Sequence, residues 1–233
     1  MIELHHGDCL DIMHLIPDKS IDMILCDLPY GTTACKWDVI IPFEQLWKHY
    51  ERIIKDNGAI VLSATQPFTS ALVMSNPKLF KYEWVYEKTM AIGGIVANKR
   101  PLRAHENILV FYKIFGNYNA QKEVGVPYKR PEGRQKESVV GNRTGGHITI
   151  NEGYRHPRSV IKFSNPNAKS LHPTQKPVRL MEYLIKTYTN EGETVLDNCM
   201  GSGTTGVACK TLNRNFIGIE KEEKYFQIAK NRI

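Results

Sequence analysis

Short unbroken apolar runs recur along this chain, and between them apolar residues return every three or four positions. The runs are MIEL, IDMILC, AIVLSA, EWVYEK, NILVFYK, TVLD and FIGIE. Most are short and rich in Val, Ile and Leu, the composition of strands buried on both faces of a parallel sheet. The intervening stretches have helical spacing. Phe43 to Lys55 sets Leu46, Tyr50, Ile53 and Ile54 on one side. Val178 to Tyr188 does so with Met181, Leu184, Ile185 and Tyr188, and the tail KEEKYFQIAKNRI with Tyr225, Ile228 and Ala229. Strands alternating with helices predict a doubly wound α/β fold.

From about Ile114 to Lys169 the pattern fails. This stretch is rich in Gly, Asn, Arg and Lys with scattered aromatics, and no clear secondary structure is legible in it. Segments of that length without periodicity are usually functional or disordered. It also holds the charge: between Lys113 and Ser170 stand eleven Lys/Arg against four Asp/Glu, which is the whole +7 of the chain. A basic segment on a neutral body suits a polyanionic partner, nucleic acid first among them; a solvated basic loop is the plainer alternative.

The rest of the composition narrows the class. Hydrophobic content of 42% and charged content of 24% are those of a globular protein. No apolar run approaches the length of about 18 residues needed to cross a membrane. MIELHHGDCL lacks the basic head and apolar middle of a signal peptide, so a cytoplasmic protein is expected. Cys9, Cys26, Cys35, Cys199 and Cys209 form no C-x-x-C pair and have no metal-ligand spacing, so they are read as reduced, packed thiols and no metal is expected.

Two stretches carry chemistry. In TVLDNCMGSGTTGVACKTLNRNFIGIE a strand ends at Asp197, a turn of Gly201, Ser202 and Gly203 leads into a helix with Thr204 and Thr205, and the next strand ends at Glu220, 19 residues after Gly201. Glycines let backbone approach a ligand, and an acid closing the second strand accepts from ribose hydroxyls, as in Rossmann-like adenosine sites. Asp197 ahead of the turn would repel a pyrophosphate; it suits a ligand bearing an ammonium and a sulfonium. The second stretch, CDLPYGTTACKW, puts a carboxylate and an aromatic ring at the end of the buried run IDMILC. Alone, it reads as a strand closing in a proline turn.

Together these stretches resemble the permuted, β-type amino-group DNA methyltransferases. Asp27–Tyr30, DLPY, is similar to their D-P-P-Y motif and DNCMGSGTTG to their cofactor motif. HPTQKPVRLMEYLI resembles the segment preceding that motif, and ANKRPLRAHENILVFYK the stretch before their target-recognition insertion. The resemblance covers nearly the whole chain outside residues 114–165, with the motifs in the permuted order. It implies a Rossmann-like doubly wound sheet of the S-adenosylmethionine-dependent methyltransferase type. Residues 1–113 form its catalytic half, 114–165 an inserted basic recognition region, and 166–233 its cofactor-binding half.

The resemblance also implies roles. Asp27 and the carbonyl of Leu28 accept hydrogen bonds from an exocyclic base amine, with Pro29 fixing the turn and Tyr30 stacking on a base flipped from the duplex. S-adenosylmethionine is implied as methyl donor, held by Asp8, Asp27, Lys176, Asp197, Gly201, Ser202, Gly203, Thr204 and Glu220. Asp8 takes the adenine amino group and Lys176 the cofactor carboxylate; a turn residue and a helix-start lysine are the plainer readings of these two. Double-stranded DNA is the implied partner, contacted by Lys129, Arg130, Arg134, Arg143, Arg155 and Arg158. A homodimer is among the implied assemblies. Leu28 replaces the usual proline, but the role assigned there belongs to backbone that leucine retains.

Asp as the first motif residue favours N6 of adenine; N4 of cytosine is the alternative. Methylation at carbon 5 of cytosine needs a cysteine nucleophile, usually in a Pro-Cys pair, which the chain lacks. A nicotinamide-dependent oxidoreductase shares the glycine turn but gives no reason for DLPY. Intact Asp27, Tyr30, Gly201 and Gly203 argue against a silent DNA-binding module. A methyltransferase acting on RNA or on a protein glutamine is the alternative left, although the glutamine enzymes typically begin the motif with Asn and are not permuted.

Overall fold

Along the central strands successive side chains enter two different apolar layers. A computed structural model describes residues 1–33, 35, 37–130, 148–165, 171–172 and 174–233. In β2 (Ile21–Cys26), Ile24 packs in one layer and Met23 and Leu25 in the other. In β3 (Ile54–Ala64), Ile60 and Leu62 face one way and Val61 the other. This is the period-two geometry of a strand covered on both sides. Three helices cover the first face: α1 (Cys9–Met13), α2 (Phe43–Ile53) and α3 (Phe68–Ser75). The other face is covered by α4 (Val178–Tyr188), α5 (Thr204–Thr211) and α6 (Glu223–Arg232).

The sheet is completed by β1 (Ile2–His6), β4 (Phe80–Ile92), β5 (Arg103–Phe111), β10 (Val160–Phe163), β11 (Thr194–Asp197) and β12 (Asn215–Glu220). Its order is β1-β12-β11-β2-β3-β5-β4-β10. The head strand pairs in parallel with the last strand, Ile2 opposite Phe216 and His6 opposite Glu220. This closes the sheet across the permuted ends and brings Gly7 and Asp8 beside Glu220. All pairings are parallel except those of β5, which runs antiparallel to β3 and β4. The start of β5 therefore lies at the carboxyl end of its neighbours, where ligands bind in such sheets.

Residues 114–169 hold regular structure that their sequence pattern does not show. Strand β10 lies inside that stretch and pairs with β4, Ile161 opposite Tyr86. Residues Ala120–Arg158 form a compact unit of their own. Asn119 belongs to the main body, its amide donating to the carbonyls of Lys186 and Thr189 at 3.1 Å.

Within 120–158 the described chain forms two antiparallel ladders. These are β6 (Glu123–Val124) with β9 (Tyr154–Arg155) and β7 (Tyr128–Arg130) with β8 (Thr149–Asn151). The guanidinium of Arg155 lies 4.7 Å from the ring centre of Tyr128, and that of Arg130 5.0 Å. The Arg155 contact joins the two ladders, since Arg155 lies on β9 and Tyr128 on β7.

Candidate active site

The carboxyl ends of β1, β2, β11 and β12 open into a cavity of about 340 Å³, the size of a small-ligand site. Asp8, Asp27, Leu28, Pro29, Tyr30, Lys176, Asp197, Gly201, Ser202, Thr204 and Glu220 line its wall. They come from opposite ends of the chain. Gly203 lies just behind the wall. Its φ of +79° suits glycine, and a Cβ there would stand 2.6 Å from Ile233 Cδ1, so the turn packs directly on the end of the chain.

At the end of β2, Asp27 accepts from the Tyr30 hydroxyl on Oδ1 and from Lys176 Nζ on Oδ2, each at 2.5 Å. Burial, and then the Asp27 carboxylate, push the Tyr30 phenol well above its usual range, so it stays a neutral donor. Its ring packs 5.2 Å from that of Phe68. Leu28 is buried in the layer that holds α1 to α3. A leucine in place of the usual proline therefore adds apolar contact at the turn.

Sequence reasoning missed Asp38. Its carboxylate accepts from the backbone N–H groups of Gly31 and Thr32 at 2.9 Å and of Thr33 at 2.7 Å. Burial alone would raise its pKa; the Thr33 hydroxyl and these three N–H groups hold it below the usual value. Asp38 thus fixes the loop that continues from Tyr30. The only hint in the sequence was an acid a few residues beyond a Gly-Thr-Thr turn.

In the glycine turn, Asp197 is buried and accepts from Thr205 Oγ1 at 2.6 Å and Cys199 N–H at 3.1 Å. Burial dominates these bonds and pushes its pKa up to about 7. Glu220 accepts from the N–H groups of Gly201 and Glu222, both at 2.8 Å, and burial raises its pKa as well. Asp8 caps α1 through Leu10 N–H and pairs with Lys221 Nζ, each at 3.0 Å. Each carboxylate keeps free lone pairs, since two oxygens offer about four acceptor sites.

Three rings from separate segments also line the cavity and were not foreseen. His172 lies 4.2 Å from Tyr225 and 5.1 Å from Trp37, centre to centre. Burial, with Lys176 and Lys224 nearby, pulls its pKa down to about 4, so it is a neutral ring at pH 7. Ser63 and Thr65, at the end of β3, are buried and are not among the lining residues.

The donor set fits an S-adenosylmethionine-like group. Asp8, Asp197 and Glu220 supply acceptors for amines and hydroxyls, and an acid-lined wall suits a cation while repelling a pyrophosphate. Of the expected DNA contacts, Lys129, Arg130 and Arg158 are exposed. Arg155 instead bonds Asn151 Oδ1 and the Val126 carbonyl within its own unit. Arg134 and Arg143 lie outside the described residues. Among the described residues, no helix is long and apolar enough to cross a membrane.

A family model described as DNA methylase, covering N6 and N4 enzymes, matches residues 21–231. The chain is similar to the Type II methyltransferase M2.DpnII of Streptococcus pneumoniae, 53% identical over 99% of this chain and 88% of that protein. The Type II methyltransferase M1.MboII of Moraxella bovis is 27% identical over 97% and 94%. Among solved structures, the M1.HpyAVI–SAM complex covers all of both chains at 29% identity and a TM-score of 0.68. The PvuII DNA methyltransferase (cytosine-N4-specific) has a TM-score of 0.72 at 15% identity, covering all of this chain and 86% of its own, a likeness of fold alone.

Proposed function

We propose, from the premise that the chain belongs to the N6/N4 DNA methylase family, that it methylates the exocyclic amino group of adenine in double-stranded DNA. One observation carries the reading. Asp27 and Tyr30 stand side by side at the end of β2, in the same cavity wall as the acids of the glycine turn. S-adenosylmethionine, when bound, supplies an electrophilic methyl group.

The chain's own residues do the rest by positioning and electrostatics. In this reading Asp27 and the Leu28 carbonyl accept the two N–H bonds of the base amine. That draws the nitrogen lone pair out of conjugation with the ring. Tyr30 offers its face to the extruded base. Glu220, with both oxygens already fixed by backbone, receives ribose hydroxyls. Asp197 receives the amino end of the cofactor, and Asp8 the adenine amine. The Gly201–Thr204 turn gives these groups close backbone approach. Lys129, Arg130 and Arg158, with Arg134 and Arg143, contact DNA phosphates from the recognition region. The reading places the chain in the cytoplasm, where its substrate is, and includes a homodimer, which light scattering on the purified chain tests.

The experiment is digestion of DNA methylated by the purified chain, followed by mass spectrometry of the nucleosides. N6-methyl-2′-deoxyadenosine as the product supports the reading, and methylated deoxycytidine alone overturns it. Asp27→Asn should abolish transfer while S-adenosylhomocysteine still binds.

A further inference from the structure

Two buried ionisable residues have no part in the steps above. Glu106, near the start of β5, is 8% exposed and does not line the cavity. Lys88, on β4, has a side chain only 10% exposed. Lys88 Nζ lies 2.5 Å from Glu106 Oε1, and Lys176 Nζ lies 3.1 Å from Glu106 Oε2 and 2.5 Å from Asp27 Oδ2. Four charges thus alternate in sign from the outer strands of the sheet to the cavity wall. Lys176 also stands 5.8 Å from the ring centre of Tyr30, within cation–π range of the far end of the DLPY turn.

Buried charges persist only when paired, and removing one partner leaves the next uncompensated. Without Lys176, Asp27 and Glu106 would repel one another. Without Glu106, the Lys88 and Lys176 ammoniums would lose the carboxylate that stands between them. We infer that Glu106 and Lys176 are positioning residues for methyl transfer, the ion chain from Lys88 holding the Asp27 carboxylate where the base amine meets it. The inference rests on the methylation reading and gives Lys176 a task other than binding the cofactor carboxylate. It also gives the antiparallel direction of β5 a use. Were β5 parallel to its neighbours, a residue near its start would lie at the opposite end of the sheet.

The test compares Glu106→Gln, Lys176→Met and Lys176→Arg with the wild type. Misplacement of the acceptor should lower kcat by about tenfold to a hundredfold in the first two. The KM for S-adenosylmethionine should stay within about twofold, since an effect on the reacting geometry alone leaves ground-state binding intact. Lys176→Arg should recover part of kcat. A rise in KM with kcat retained would hand Lys176 to the cofactor and overturn the inference; unchanged kinetics in Glu106→Gln would do the same.

A second measurement needs no turnover. In protein labelled with 15N-lysine, the buried Lys176 amine should give its own resonance, shifted by Asp27→Asn and by Glu106→Gln and little moved by S-adenosylhomocysteine. The reverse pattern overturns the ion chain. A wild type that fails to methylate adenine would count against the functional reading, while this resonance would still judge the ion chain.

Discussion

Lys176 Nζ lies 2.5 Å from Asp27 Oδ2, across 149 positions of sequence. The permuted order of the motifs makes that separation necessary. Asp27 follows the second strand of the chain, and Lys176 stands just before the helix that leads to the cofactor turn. Only the finished sheet brings them together, so the ion pair exists in the folded protein alone.

Asp38 should make the loop after Tyr30 sensitive to acid. Its folded pKa is depressed, so its stabilising effect is present above the ordinary carboxylate pKa and is lost as pH falls through the depressed value. Asp38→Asn keeps the shape and removes the charge that three N–H groups bind. The expected loss at neutral pH is about 1.5–3 kcal/mol, the range for hydrogen bonds to a charged group. Thermal unfolding of both proteins across pH measures it, and the curves should converge in acid. Parallel curves would show that the carboxylate holds no more than a neutral amide.

Asp197 has the opposite sign. Its pKa rises from the ordinary carboxylate value to about 7, so the folded protein keeps a proton that the unfolded chain releases. Its stability contribution is full in acid and declines as pH climbs through that window, staying lost above it. A cationic cofactor bound at Asp197 restores the carboxylate and expels the proton. Titration of S-adenosylmethionine at about pH 6 should therefore release on the order of one proton. Calorimetry in two buffers of different ionisation enthalpy reads that release directly. Equal apparent enthalpies would place the cofactor's amino group elsewhere.

The two turn glycines should separate stability from binding. Both have positive φ, +53° at Gly201 and +79° at Gly203. Gly203→Ala adds overlap with Ile233 and Ala229 to backbone strain of about 1–3 kcal/mol, and should lower the unfolding midpoint the more. Gly201→Ala meets first the His172 ring, at ordinary van der Waals distance of 3.6 Å in the cavity wall, and should weaken cofactor binding more than it weakens the fold. An equal drop in midpoint for both would mean that the chain end yields at Gly203.

Much of the sheet was legible because β1, β2, β3, β4, β5, β11 and β12 are apolar runs bounded by turns, and buried strands leave that mark. Strand direction was not, since a run of Ile, Leu and Val reads the same in parallel and antiparallel neighbours; β5 needed the register of Glu106 with Tyr86. Strand β10 was hidden for another reason. It is an edge strand of four residues, and Val160 and Lys162 are exposed while Ile161 is buried. So short an alternation, following a polar stretch, carries no signal. DLPY and the glycine turn were visible as local patterns. Asp38, Glu106 and the rings of Trp37, His172 and Tyr225 reach the site or its supports only through tertiary contact.

The basic residues of 120–158 should divide into two kinds. Lys129 and Arg130 sit exposed on β7, Arg130 resting only on the Tyr128 ring, and both should be open to neutralise phosphates. Arg155 is tied by Asn151, by the Val126 carbonyl and by the face of Tyr128, so its charge serves the unit itself. DNA affinity should fall with salt along a log–log line whose slope is roughly −0.9 for each phosphate neutralised. Removing Lys129 and Arg130 together should make that slope shallower by up to about two such increments and leave cofactor affinity alone. Arg155→Ala should scarcely move the slope; it should instead open the unit to protease, because it loosens both ladders. The measurement is DNA binding across a salt series for the wild type and both variants, with limited proteolysis alongside. If Arg155→Ala flattened the slope as much as the double variant without exposing new cleavage sites, Arg155 would be a phosphate contact and its bonds to Asn151 and Val126 incidental.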